Sequence, residues 1–94
     1  MPEIELSKPV QHEGQTIEEV NLDLDGLTGE DMVQAENEYL AMNGGAGSGV
    51  AELSKAYLVH VAARACGLPV EAIKAMSMRD VTRITMETQN HLLG

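Results

Sequence analysis

The most permissive run of residues is AMNGGAGSGVAEL, residues 41–53, with glycines at Gly44, Gly45, Gly47 and Gly49. A glycine-rich turn ahead of a helix cradles phosphates, because its backbone N–H groups converge on the anion. The P-loop form needs G-x-x-x-x-G-K-[ST], yet Gly49 is followed by Val50 and Ala51, and the nearest lysine is Lys55. The dinucleotide form follows a strand and keeps a third glycine at fixed spacing. This run follows a helical pattern, and GAGSG lacks that third glycine. The four glycines therefore read as a hinge between helices. A second run, DLDGLTGED, has the flavour of a calcium loop, which requires glycine at position six and glutamate at twelve. Counting from Asp23, those positions hold Thr28 and Gln34. A strand-to-helix turn accounts for it better.

His12, His60 and His91 fall in a turn, a middle helix and a C-terminal helix end, and no two have metal-ligand spacing. His91 is well placed against a helix dipole. Cys66 stands alone, which excludes an internal disulfide and a cysteine-based zinc site. As a nucleophile it would need His60, but six residues apart on a helix the two point about 120° away from each other. No catalytic, cofactor-binding or metal-binding residues are expected, and the chain does not read as an enzyme.

The elements that would carry any surface are legible from periodicity. In EIELSKPV, Ile4, Leu6 and Val10 share one face, while Glu3, Glu5 and Ser7 share the other. QHEGQ supplies a turn. In TIEEVNLDL, Val20, Leu22 and Leu24 share a face with Asn21 and Asp23 opposite, and Ile17 breaks parity, which places a bulge near Glu18 and Glu19. Pro9 belongs at an edge or strand end. Thr28 and Asp31 form a variant capping box for a helix over 29–42, with Met32, Ala35, Tyr39 and Met42 inward, joined by Val33 and Leu40. A mostly apolar helix runs from about Val50 to Cys66, with Gly67 as its C′ residue. Its two polar residues, His60 and Arg64, share one stripe. LPVEAIKAM forms a short helix with Pro69 in its first turn. Ser77 caps a last helix over 78–92, with Asp80 as its N3 partner. Val81, Ile84, Thr85, Thr88 and Leu92 face inward, and Arg79, Arg83, Glu87 and Asn90 outward. The expected fold is α+β, one domain in which an N-terminal β-hairpin (1–26) packs on three to four α-helices. These are a helix over 28–42, the flexible linker 43–49, and a helical part over 50–92.

A chain of 94 residues buries about 64% of its unfolded surface, enough for one modest core. That core has no Phe or Trp, so Leu, Ile, Val, Ala and six Met must fill it beside Tyr39 and Tyr57. Methionine adapts to irregular gaps and to partners. The formal net charge is −9, unevenly placed: residues 1–43 hold eleven acids and Lys8, whereas 44–94 are close to neutral. Such a half repels nucleic acid and acidic membranes. No apolar run approaches the ~20 residues that cross a bilayer, and MPEIELSKPV does not read as a signal peptide. The expected location is the cytoplasm.

The order of segments carries more than any single motif. The opening IELSKPVQHEGQTIEEVNLDL leads into LTGEDM, and LVHVAARACGLPVEAIKAMSMRDVTRI closes the chain. Together they resemble the tail assembly chaperones of long-tailed bacteriophages, in the branch of Mu-like and related prophage proteins. The glycine-rich residues 43–49 interrupt the resemblance. It implies a non-enzymatic protein that binds the tape measure protein and recruits tail tube subunits in the bacterial host cytoplasm, and that is absent from the mature virion. It also implies that a longer form of the chain arises by ribosomal frameshifting.

For such a role the wet face of the hairpin (Glu3, Glu5, Glu18, Glu19 and Asp23), with exposed parts of the last two helices, is the expected partner-binding surface. The alternative reading is an acidic inhibitor or DNA mimic bound to a nucleic-acid-binding partner, although its acids crowd into one half instead of forming two DNA-like rows. A small toxin–antitoxin or transcription-related domain lacks its basic recognition helix. If the glycines act as a hinge, replacing Gly44, Gly45 and Gly47 together with alanine weakens partner binding in a pull-down; unchanged binding would make the run a spacer.

Overall fold

The computed structural model describes residues 3–42 and 55–93. Gly44, Gly45, Gly47 and Gly49, the expected helix start at Val50 and the side chain of Met42 lie outside the described residues. The elements are β1 (Glu3–His12), β2 (Gln15–Asn21), α1 (Gly29–Met42), α2 (Lys55–Cys66), α3 (Val70–Lys74) and α4 (Met78–Leu93). A hairpin followed by helices makes the fold α+β, as the periodicities imply.

The hairpin closes through Glu13 and Gly14, both at positive φ (49° and 79°), the handedness that matches strand twist. Pairing is regular at both ends, with Ile4 opposite Val20 and Val10 opposite Ile17. Between them the register slips, so that Leu6, Ser7, Lys8 and Pro9 face the single residue Glu18. The bulge sits where the parity of Ile17 places it along the hairpin, but the additional residues belong to β1. Their unpaired N–H groups have another acceptor. Ser7 N donates to both carboxylate oxygens of Asp80, at 2.9 and 3.0 Å, and Lys8 N donates to Oδ2 at 3.4 Å. Pro9 has no N–H to satisfy, so a bulge tolerates it.

Asp80 sits in the first turn of α4 and is fully buried. Its backbone N–H donates to Ser77 Oγ at 3.2 Å, the expected cap, while its carboxylate reaches across to β1 instead of back to Ser77 N. Burial is the largest single influence on this carboxyl and favours the neutral form. Set against it are N–H groups of Ser7 and Lys8 and the hydroxyls of Ser77 and Ser7, whose combined donation holds the group below its ordinary value. Arg83 Nη1 adds a bond to Glu5 O at 3.0 Å. Two strands alone are marginal in water, and α4 supplies what they lack.

α2 occupies the centre, with every residue from Tyr57 to Ala63 buried. Tyr39 of α1 meets Tyr57 edge-to-face at a centroid distance of 6.2 Å. Helix α2 ends in a Schellman turn: Gly67 has φ +70° and Leu68 N donates to Ala63 O at 3.1 Å. At the start of α1, Thr28 and Asp31 exchange bonds in both directions. Two expectations change. Strand β2 ends at Asn21, and Leu24–Gly26 form a 3-10 turn, although Leu22 and Leu24 still enter the core. Val33 is exposed, because one helical step of about 100° from Met32 carries it out of the buried arc.

The lowered Asp80 pKa sets a sign. Its ionisation stabilises the fold fully above the unfolded-state value near 3.8, and that contribution is lost as the pH falls through the lower folded value. Asp80→Asn should cost about 1.5–3 kcal/mol in urea unfolding at neutral pH, and the gap from the parent should shrink as the pH falls through that range.

Candidate partner-binding site

The acidic face is built by the hairpin register. Glu3, Glu5, Glu18 and Glu19 are all exposed, and Glu5 stands directly opposite Glu19. Like charges across a strand pair oppose folding, and among the described residues no ion pair reaches either carboxylate. Asp23 does not join this face. It is half-buried beyond the end of β2, where its Oδ1 accepts from Gly26 N at 3.2 Å and its own N–H donates to Ala65 O at 3.3 Å. Its short side chain caps a turn, apart from the four exposed glutamates of the hairpin.

A second surface runs along α4. Met78 is 85% exposed, Met86 56% and Leu93 59%. With Thr82 and Gln89 these side chains fall within about 80° of helix circumference, a stripe running the length of α4. The inward stripe lies beside it, with Ile84, Thr85 and Thr88 buried and Val81 and Leu92 half-buried, as expected. Arg79, Arg83, Glu87 and Asn90 face outward as expected, and the apolar stripe beside them follows from Met78, Met86 and Leu93 at spacings of eight and seven.

The third feature is a groove of about 580 Å3 where α1, α2 and α3 meet. Ala41, Ala63, Leu68, Pro69 and Val70 make it apolar, and Glu38, His60, Arg64 and Glu71 supply its polar groups. The His60–Arg64 stripe is directed at α1. Arg64 Nη1 pairs with Asp31 Oδ1 and Nη2 with Glu38 Oε2, each at 3.3 Å. Asp31 and Glu38 are seven apart, two turns, and so present one acidic edge. Asp31 is held below its ordinary pKa first by the Thr28 backbone N–H, then by the Thr28 hydroxyl, with Arg64 adding to both. His60 Nδ1 faces Glu38 Oε1 at 3.7 Å, beyond hydrogen-bond length. Nδ1 and Arg64 Nε are buried without a partner.

The remaining candidates for chemistry are occupied structurally. Cys66 is half-buried, burial pushes its thiol pKa up, and Sγ lies 3.8 Å from Ala63 O. A raised pKa disfavours the nucleophilic thiolate. His91 Nε2 lies 3.4 Å from Asp25 Oδ1. Among the described residues no three His, Cys, Asp or Glu side chains converge as a metal site, and no helix is long and apolar enough to cross a membrane.

A family model described as phage tail assembly chaperone proteins, E, or 41 or 14, matches residues 3–92, running across the glycine-rich stretch. The chain belongs to the phage tail assembly chaperone family, and its role lies in the assembly of phage tails. No curated protein and no solved structure matches it.

Because Arg64 bridges two acids of α1 from α2, Arg64→Met should speed amide hydrogen exchange in α1 while leaving α4 protected. Equal protection of α1 in the variant and the parent would show that the bridge does not hold the helix.

Proposed function

We propose that the protein is a non-enzymatic chaperone that binds the tape measure protein, keeps it soluble, and recruits tail tube subunits to it in the host cytoplasm. A longer frameshifted form and absence from the mature virion belong to the same reading. The observation that carries it is the family match over residues 3–92. Two exposed surfaces support it: one acidic, one apolar and methionine-rich.

The two surfaces suit different tasks. The carboxylates of Glu3, Glu5, Glu18 and Glu19 attract basic segments over several ångströms and speed encounter. The α4 stripe of Met78, Met86 and Leu93 offers flexible side chains that repack around an amphipathic helix. A long helical client exposes such apolar stripes before it is encased, and covering them prevents aggregation. The family match favours this role over that of an acidic inhibitor or DNA mimic.

Co-expression with the tape measure and tail tube proteins of the same phage, followed by affinity capture and size-exclusion chromatography, tests the proposal. The parent chain should retain both. Lysine at Glu3, Glu5, Glu18 and Glu19, or serine at Met78, Met86 and Leu93, should reduce capture by about tenfold or more. A parent that captures neither protein would sink the proposal. Full capture by both variants would move binding to another surface.

A further inference from the structure

We infer that the groove between α1, α2 and α3 is a separate binding site for a short amphipathic segment of another protein, one that carries aliphatic anchors flanked by lysine or arginine. This deepens the chaperone reading and rests on it only in requiring a protein partner.

Three observations select that occupant. The first is shape: a cavity of about 580 Å3 lies within the range that seats ligands and anchor side chains. Its apolar lining of Ala41, Ala63, Leu68, Pro69 and Val70 offers dispersion contacts and no hydrogen bonds from side chains. An aliphatic side chain fits that chemistry.

The second is charge. The only basic group among the lining residues is Arg64, and both its terminal nitrogens are committed to Asp31 and Glu38. Glu71 is exposed and has no ion pair among the described residues. Glu38 is half exposed on its side chain, and its Oε1 makes no hydrogen bond to His60 at 3.7 Å. The rim therefore presents carboxylate oxygens with capacity to spare, and it selects a cation over an acidic or phosphate-bearing ligand.

The third is the imidazole. His60 is 5% exposed, yet Nδ1 has no hydrogen-bond partner, and Glu38 Oε1 stands 3.7 Å from it. Buried polar atoms are nearly always hydrogen-bonded, so an unpaired one at a groove wall marks a place for an incoming polar group. An ammonium or guanidinium set between Glu38 Oε1 and His60 Nδ1 can donate to both.

The test is NMR titration of the isotopically labelled full chain with a synthetic helical peptide of leucine, alanine and lysine. An analogue with glutamate in place of lysine, and spermidine, serve as controls. The lysine peptide should move the amide resonances of Ala41, Ala63, Gly67 and Val70 and shift the His60 ring nitrogen, as Nδ1 gains a partner. Ala41→Trp fills the groove from an exposed position, and Glu71→Lys reverses an exposed rim charge; each should weaken binding about tenfold. The inference is overturned if the glutamate peptide or spermidine binds equally well, if both variants bind like the parent, or if the shifts map to α4 or the hairpin. It is also overturned if the groove resonances move on raising protein concentration alone, which would assign it to a second copy. Because the peptide replaces any tail protein, these outcomes are independent of whether tape measure capture succeeds.

Discussion

One buried carboxylate joins the two ends of this chain. Asp80 receives the N–H groups that the bulge in β1 withdraws from β2, and its own backbone is fixed by the Ser77 cap. A lone hairpin would leave the Ser7 and Lys8 N–H groups to water at that slip. A lone α4 would hold an ionised group in a dry place without donors. Each element resolves the other's fault, and the acidic surface of the hairpin inherits its rigidity from that exchange.

Around this link the core is built from small and flexible side chains. Ala35, Ala62 and Ala72 are fully buried, and they let helices approach closely where no Phe or Trp is present to fill space. Close helices with few large side chains leave shallow grooves between them. The cavity beside His60 and the thin apolar cover on α4 are both products of that economy. In a family whose role is assembly, unfilled surface is where other proteins can be accommodated.

The helices were legible largely through their chemical ends. Thr28 with Asp31, Ser77 and Gly67 all act at the boundaries their types imply. The bulge was legible through the parity of Ile17, although not which strand it enlarges. What escaped the sequence was tertiary pairing. Asp80 has a local duty as an N3 residue, and that hid its longer reach to Ser7. His60 and Arg64 share a stripe by their spacing, but its partners, Asp31 and Glu38, lie seven apart on another helix. Asp23 alternates correctly with its neighbours, but a turn three residues long removes it from the acidic face.

The reach of Asp80 also orders events in time. Seventy-three residues separate Ser7 from Asp80, and a ribosome delivers the hairpin long before it delivers α4. Throughout that interval the Ser7 and Lys8 N–H groups lack the Asp80 carboxylate and are left to water. The first strand to be made is thus the last to be secured, and the nascent chain passes through a period in which its own edge is open to other polypeptides.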